Sequence, residues 1–268
     1  MKASKILIFV IYAQSLILFG LSIDWCEYPC GSKENIGCSM EGRCVLANAP
    51  CEFTSIDQNK LLETHNKLRE KFASGKEQQT NGLQVANMME VKWDDDLAFL
   101  CSCNLKKCGK MKHDSCRATP NYMAGQNLAF EGGTEGCPSR MEIFVQRWYD
   151  EIKKIDGNSM KEMGKRYKFN SDTGHFTAVV WAKTSHIGCA MTSKPAKAKL
   201  ECLMCCNYGP AGNVIDRRMF IEGSPASACP PNTTQSSKYP SLCSDAHLSA
   251  SVVPFVFFLP TLIKFLFC

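Results

Sequence analysis

Apolar residues recur at helical spacing in three stretches of the chain. In the first, Leu61, His65, Leu68 and Phe72 follow at intervals of four, three and four, so they share one face of a helix. Ser55 and Gln58 fit a capping box at its start, and Gly75 suits its end. His65 therefore points inward, which favours a structural role. A second helix is predicted from Asp94 onward. The carboxylates of Asp94, Asp95 and Asp96 suit the positive end of its dipole, and Lys106 and Lys107 suit its other end. The third stretch has the clearest period: Met141, Phe144, Val145, Trp148, Ile152 and Ile155 line one face, behind a second capping box of Ser139 and Glu142. Glu151 lies on the margin of that face, where a carboxylate faces a cleft, caps a helix or makes a rim ion pair.

The pattern then changes. "GHFTAVVW", from Gly174, reads as a short apolar turn, and the runs His186 to Met191 and Leu200 to Tyr208 read as strands. They suggest an antiparallel hairpin that Cys189 and Cys206 could staple. "GPAGN", from Gly209, is rich in turn formers. Helices early and strands late indicate an α+β domain. No internal repeat appears, and no glycine-rich phosphate loop follows a strand.

Composition adds the compartment. Residues 1–22 combine Lys2 and Lys5, an apolar run, and the small residues Gly20 and Ser22, which reads as a signal peptide cut before Ile23. Seventeen cysteines in an exported chain imply a disulfide framework, sixteen of them outside the apolar tail that ends in Cys268. The run Cys202, Cys205, Cys206 lacks the second ligand pair of a zinc finger, so disulfides are its better reading. Residues 23–54 form a cysteine-rich arm without sustained periodicity. Residues 223–246 are rich in Pro, Ser and Thr, hold the glycosylation acceptor Asn232, and read as a stalk. Residues 247–268 read as a hydrophobic tail of the kind exchanged for a glycosylphosphatidylinositol anchor, with a membrane span or a plain secreted tail as alternatives. The net charge of +5 is too small and scattered for a nucleic-acid footprint, and the run "KPAKAK" reads as a solvated loop.

Seven motifs in order carry a resemblance: "HNKLR" (His65), "VKWDDDLA" (Val91), "HDSC" (His113), "GQNLA" (Gly125), "GHFTAVVW" (Gly174), "HIGCA" (His186) and "CNYGPAGN" (Cys206). Together they resemble the CAP superfamily of cysteine-rich secretory, antigen 5 and pathogenesis-related proteins, most of all insect antigen 5-like venom allergens. The resemblance covers about Cys26 to Met219, with residues 55–222 as the CAP domain.

It implies a disulfide-rich, three-layer α-β-α sandwich with a central antiparallel sheet, and a cleft where two histidines meet acidic residues. Carried onto this chain, these are His113, His175 and Glu151, with Gln126 where the family usually has a second glutamate. The resemblance also implies the pairs Cys26–Cys38, Cys30–Cys116, Cys44–Cys108 and Cys189–Cys206. It places Asn207 and Tyr208 as turn-fixing residues.

Two imidazoles can hold a weak, exchangeable Zn²⁺, whereas an amide at Gln126 removes one partner of a paired-carboxylate mechanism. No nucleophile elbow is present. The expectation is a non-enzymatic, extracellular protein that binds a lipid or sterol, a metal ion or a host protein. A metal-dependent hydrolase built on His113, His175 and Glu151 is the rival, and a scaffold with a vestigial cleft is the third reading. The sequence leaves the oligomeric state open.

Overall fold

The computed structural model describes residues 23–38, 44, 51–106, 108, 111–133, 136–196 and 199–246. The expected signal peptide (1–22) and hydrophobic tail (247–268) lie outside the described residues.

A sheet of five strands forms the middle layer. Its order is β1 (Glu52–Thr54), β4 (His186–Ala196), β5 (Lys199–Gly209), β3 (Gly125–Gly133), and the two-residue β2 (Lys92–Trp93) pairs in parallel with the start of β4. The expected hairpin is present and longer than its apolar runs suggested, with Cys189 opposite Cys206. β3 pairs antiparallel with β5 along its whole length, Gly125 opposite Tyr208 and Gly133 opposite Leu200.

Alternation along β5 sorts side chains between two layers. Cys202, Met204, Cys206 and Tyr208 join the main core, with α1 (Gln58–Ala73), α3 (Met141–Asp150), α4 (Gly157–Lys165) and α5 (Gly174–Val179) contributing Leu61, Phe72, Phe144, Trp148, Met160 and Phe176. Leu203 and Cys205 face the other way, onto Cys101 and Leu105 of α2 (Asp95–Leu105). This is the α-β-α sandwich that the motifs implied. Gly188 lets α2 approach: a Cβ there would lie 2.2 Å from the backbone nitrogen of Ala98.

Neither capping box forms. Asp57, not Ser55, caps α1 by accepting from the Lys60 backbone N–H at 3.0 Å, a carboxylate being favoured there by the helix dipole. Ser139 sits inside a 3₁₀ turn (Cys137–Arg140) and donates to Gly136 O, while Glu142 pairs with Lys60 across to α1 at 2.7 Å. The stretch expected to be a turn at Gly174 is the short helix α5.

Eight disulfides use all sixteen cysteines outside the tail: Cys26–Cys38, Cys30–Cys116, Cys44–Cys103, Cys51–Cys108, Cys101–Cys205, Cys137–Cys202, Cys189–Cys206 and Cys229–Cys243. The expected Cys44–Cys108 pair is corrected. Cys51 leads directly into β1, whose pairing with β4 sets Cys51 over the end of α2, 3.7 Å from Leu105 O. It takes Cys108, and Cys44 takes Cys103 one turn back. In the Cys202, Cys205, Cys206 run, strand alternation sends Cys205 to α2 and the other two to the opposite face.

Residues 223–246, expected as a stalk, are folded onto the domain. β6 (Thr233–Gln235) and β7 (Cys243–Asp245) form a hairpin, Tyr239 and Leu242 join the main core, and Cys243 is fully buried. The Cys243 N–H donates to Met88 O and the Glu90 N–H to Cys243 O, both at 2.7 Å. The Pro/Ser/Thr composition masks three buried anchors, Tyr239, Leu242 and Cys243, which are too few to show a period.

Candidate cleft at the start of strand β3

Glu151 is the first residue of a 3₁₀ turn (Glu151–Lys154) that continues α3. Its carboxylate projects past the end of α3 toward the start of α5. One oxygen accepts from the backbone N–H groups of His175 and Phe176 at 2.9 and 3.0 Å, and the other lies 2.7 Å from His175 Nδ1. Of the readings left open for Glu151, it is a helix cap and the anchor of an imidazole. The His175 ring also stacks on Trp148, with centroids 6.1 Å apart and planes 20° apart. Because a carboxylate oxygen only accepts, the neutral ring keeps its proton on Nδ1 and leaves the Nε2 lone pair free.

His113 is exposed, on the 111–117 segment between α2 and β3. Its Nδ1 lies 2.9 Å from Gln126 Oε1, so it too carries its proton on Nδ1. The Gln126 amide nitrogen donates to Asp114 Oδ2 at 2.7 Å and to Asn207 Oδ1 at 3.1 Å. A carboxylate here would face those two oxygens with no proton to offer. The glutamine is thus fitted to its neighbours, and its effect goes beyond the loss of a base. Asp114 is itself held by Arg117 at 2.7 Å and by the Asn104 amide at 3.0 Å.

Gln126 and Asn127 are consecutive on β3 and send their side chains to opposite faces. Gln126 holds His113. The Asn127 amide donates to His175 O at 3.1 Å and to the Tyr208 hydroxyl at 3.4 Å. The two histidines therefore both attach at the first residues of β3. Among the described residues, the only set of three or more His, Cys, Asp or Glu with ligand atoms all within 4.8 Å is Cys26, Glu34 and Cys38, and the two sulfurs of that set are a disulfide. His113, His175 and Glu151 therefore form no set of three such ligand atoms among the described residues.

Behind this cleft runs a buried polar chain. The His65 ring donates from Nδ1 to Leu61 O at 2.8 Å and accepts at Nε2 from the Tyr208 hydroxyl at 3.1 Å. Burial holds its pKa down at about 4. Tyr208 and Asn207, expected to fix a turn, lie on β5. Tyr208 ties the sheet to α1, and Asn207 ties it to α2 through Leu97 O at 3.0 Å. Thr177 is fully buried and donates within its own turn to Thr173 O and Gly174 O, so no nucleophile stands beside His175 there. The residues missed from sequence are Asn127 and Asp114, each beside a predicted site residue in "GQNLA" and "HDSC". Adjacency to a cleft residue was the available signal.

The comparisons agree with this architecture. Residues 62–208 match the family described as CAP, the cysteine-rich secretory protein family. The chain is 42% identical over 195 residues, 72% of its length, to a cysteine-rich venom protein of Tityus serrulatus, and spans only about half of that relative, 47%. It is 36% identical over 200 residues, 73% of its length, to a venom allergen 5 of Microctonus hyperodae, of which 81% is covered. Among solved structures, the crystal structure of NaASP2 with Zn²⁺ superposes with a TM-score of 0.54 at 25% identity, covering 74% of this chain and 98% of that one. On the family match, the identities and the shared fold, this chain belongs to the CAP cysteine-rich secretory protein family, among relatives named venom allergen 5.

Proposed function

We propose that the chain works outside the cell as a binding protein and not as a hydrolase, and that His113 and His175 present their Nε2 atoms to an exchangeable divalent transition metal such as Zn²⁺. The observation that carries this reading is the shared orientation of the two rings: each Nδ1 is turned onto a fixed oxygen, Gln126 Oε1 or Glu151 Oε1. Such anchors fix the tautomer and raise the basicity of the nitrogen left over, as the outer partners of metal-binding histidines do. A solved neighbour at 25% identity is described as containing Zn²⁺, which supports the same chemistry.

Catalysis is disfavoured by the same geometry. Every oxygen of Glu151 already serves a donor, and Gln126 cannot act as a base. Export is supported by the eight disulfides, since such bonds form and persist in an oxidising compartment. A lipid anchor in place of residues 247–268 would keep the domain at a cell surface, and release of the protein from intact cells by a phosphatidylinositol-specific phospholipase tests that.

The metal reading is tested by calorimetric titration of Zn²⁺ into chelator-treated full chain. One site, lost in both His113→Ala and His175→Ala, is expected. Zinc binding indifferent to both substitutions, or cleavage of a peptide library that chelator and His175→Ala both abolish, would overturn the proposal.

A further inference from the structure

A cavity of about 540 Å³ opens between the 181–183 loop and the 209–221 segment, on a part of the molecule that the cleft does not use. Its floor is aromatic: Trp181 and Phe220 are 3% and 1% exposed and belong to the main core. Its walls include Val214 and Ile221, which are 42% and 37% exposed. Three cations, Lys183, Arg217 and Arg218, line it, and among the described residues no acidic side chain does. All three are exposed, and no ion pair among the described residues engages them.

The frame around these cations is rigid. Arg217 N–H donates to Val214 O at 3.1 Å, and Arg217 O accepts from the Tyr167 N–H at 2.8 Å. Ala211 N–H donates to Met123 O at 2.8 Å, and the Asn213 amide to Gly174 O at 2.8 Å. Trp181 is pinned from below, where its carbonyl accepts from buried Arg69 at 3.0 Å. It is pinned from above by Gly212, whose missing Cβ would meet the indole at 2.8 Å. The segment carrying the cations is thus ordered before any ligand arrives, which lowers the cost of binding.

We propose that this cavity binds a small anionic amphiphile, an apolar ring or chain bearing a sulfonate, sulfate, phosphate or carboxylate head. The apolar body lies on Trp181 and Phe220, and the head lies between Arg217, Arg218 and Lys183. The volume falls in the range of sites that enclose one small ligand. An aromatic floor with an unneutralised cationic rim fits neither a neutral lipid nor a cation. Guanidinium forks match oxoanions in particular.

The test uses the intact, disulfide-bonded chain and two fluorescent probes of nearly the same shape, anilinonaphthalene sulfonate and uncharged N-phenylnaphthylamine. The sulfonate is expected to bind saturably, one per chain, at least tenfold tighter than the neutral probe, and to weaken as salt is raised. R217S/R218S, two exposed positions, should cost the sulfonate tenfold or more and leave the neutral probe unchanged. Decyl sulfate below its micellar concentration should displace the sulfonate, and decanol should not. Chelator and His175→Ala should have no effect, which separates this site from the cleft. Equal binding of the two probes, indifference to R217S/R218S, or loss of the signal in I143D in the separate groove between α1 and α3 would overturn the proposal. Binding to anionic vesicles without displacement by soluble decyl sulfate would also overturn it, since the surface would then serve a membrane.

Discussion

His113 and His175 are held by unlike halves of the molecule. His175 belongs to the core: its ring lies on Trp148, its backbone is bonded to Glu151 and Asn127, and behind it stand the buried Tyr208, His65 and Arg69. His113 belongs to a loop. It is exposed, touches the sheet through the Gln126 amide, and rides on a segment fixed by the Cys30–Cys116 disulfide. The contrast sets an imidazole that the fold cannot release beside one that it holds by a single side-chain contact. Substitutions on the first side should cost stability, and those on the second should cost binding alone.

The largest effect is expected at Arg69. This fully buried guanidinium has no carboxylate partner among the described residues and instead donates to the carbonyls of Met89, Val179, Trp181 and Thr184 at 2.6 to 3.0 Å. Burial lowers its pKa without neutralising it at pH 7. Arg69→Leu leaves those carbonyls unpaired and should destabilise by about 3–5 kcal/mol, read from denaturant melts. A loss under ~1 kcal/mol would mean that the His175 side is not held from behind.

His65 gives the next effect. Its folded pKa, about 4, lies below the ordinary value of 6.5. Desolvation is the main cause, with the nearby Arg69 charge adding to it and the bond to Leu61 O opposing it. Between those values the unfolded chain binds the extra proton, so stability present at neutral pH is lost as pH falls from 6.5 toward 4. The loss is about 3 kcal/mol and ends once both states are protonated. Subtracting the pH profile of His65→Gln from that of the wild type should isolate this slope. A flat difference would contradict it.

How far the sequence could be read follows the same division. The periodic faces of α1 and α3 named the core, and the hairpin of β4 and β5 was visible in its apolar runs. β3 was not, because "GQNLAFEGG" is rich in glycine and weak in strand formers. Its pairing with β5 comes from tertiary context that no local propensity expresses. α4, whose inward side is Met160 and Met163, was too short to show a period. His175, Glu151, His113 and Gln126 were reached through motif resemblance. Periodicity located only the margin where Glu151 sits, and the roles of Asp114 and Asn127 needed the register of β3. The expected Cys44–Cys108 pair shows the limit of carried-over pairing: two cysteines, Cys103 and Cys51, were enough to redirect Cys44 and Cys108.

Glu151→Ala removes the cap of α5 and the anchor of His175 together. It should destabilise by about 2 kcal/mol, because three donors lose a charged acceptor. Zinc affinity should fall ten- to a hundredfold, as when an outer partner of a metal-bound histidine is lost. Glu151→Gln separates the two effects. It keeps an oxygen for the backbone N–H groups but presents an amide to Nδ1, so it should recover much of the stability and little of the affinity. Recovery of both would mean that the charge of Glu151 matters less than its shape.

The smallest effect on stability, and the sharpest on the contrast, is expected at His113. An exposed ring with one hydrogen bond contributes little to folding, so His113→Ala should shift the unfolding free energy by no more than about 0.5 kcal/mol. It should nonetheless abolish zinc binding as completely as His175→Ala, whose unfolding free energy should fall by about 1–2 kcal/mol because Glu151 loses its ring partner and Trp148 its stacking face. Two variants with equal loss of metal and unequal loss of stability would show a site shared between core and loop. Equal stability losses would show that the 111–117 segment is as much a part of the folded core as α5, and that Asp114, with its Arg117 pair and its bond from Gln126, carries more of the structure than the exposed ring in front of it.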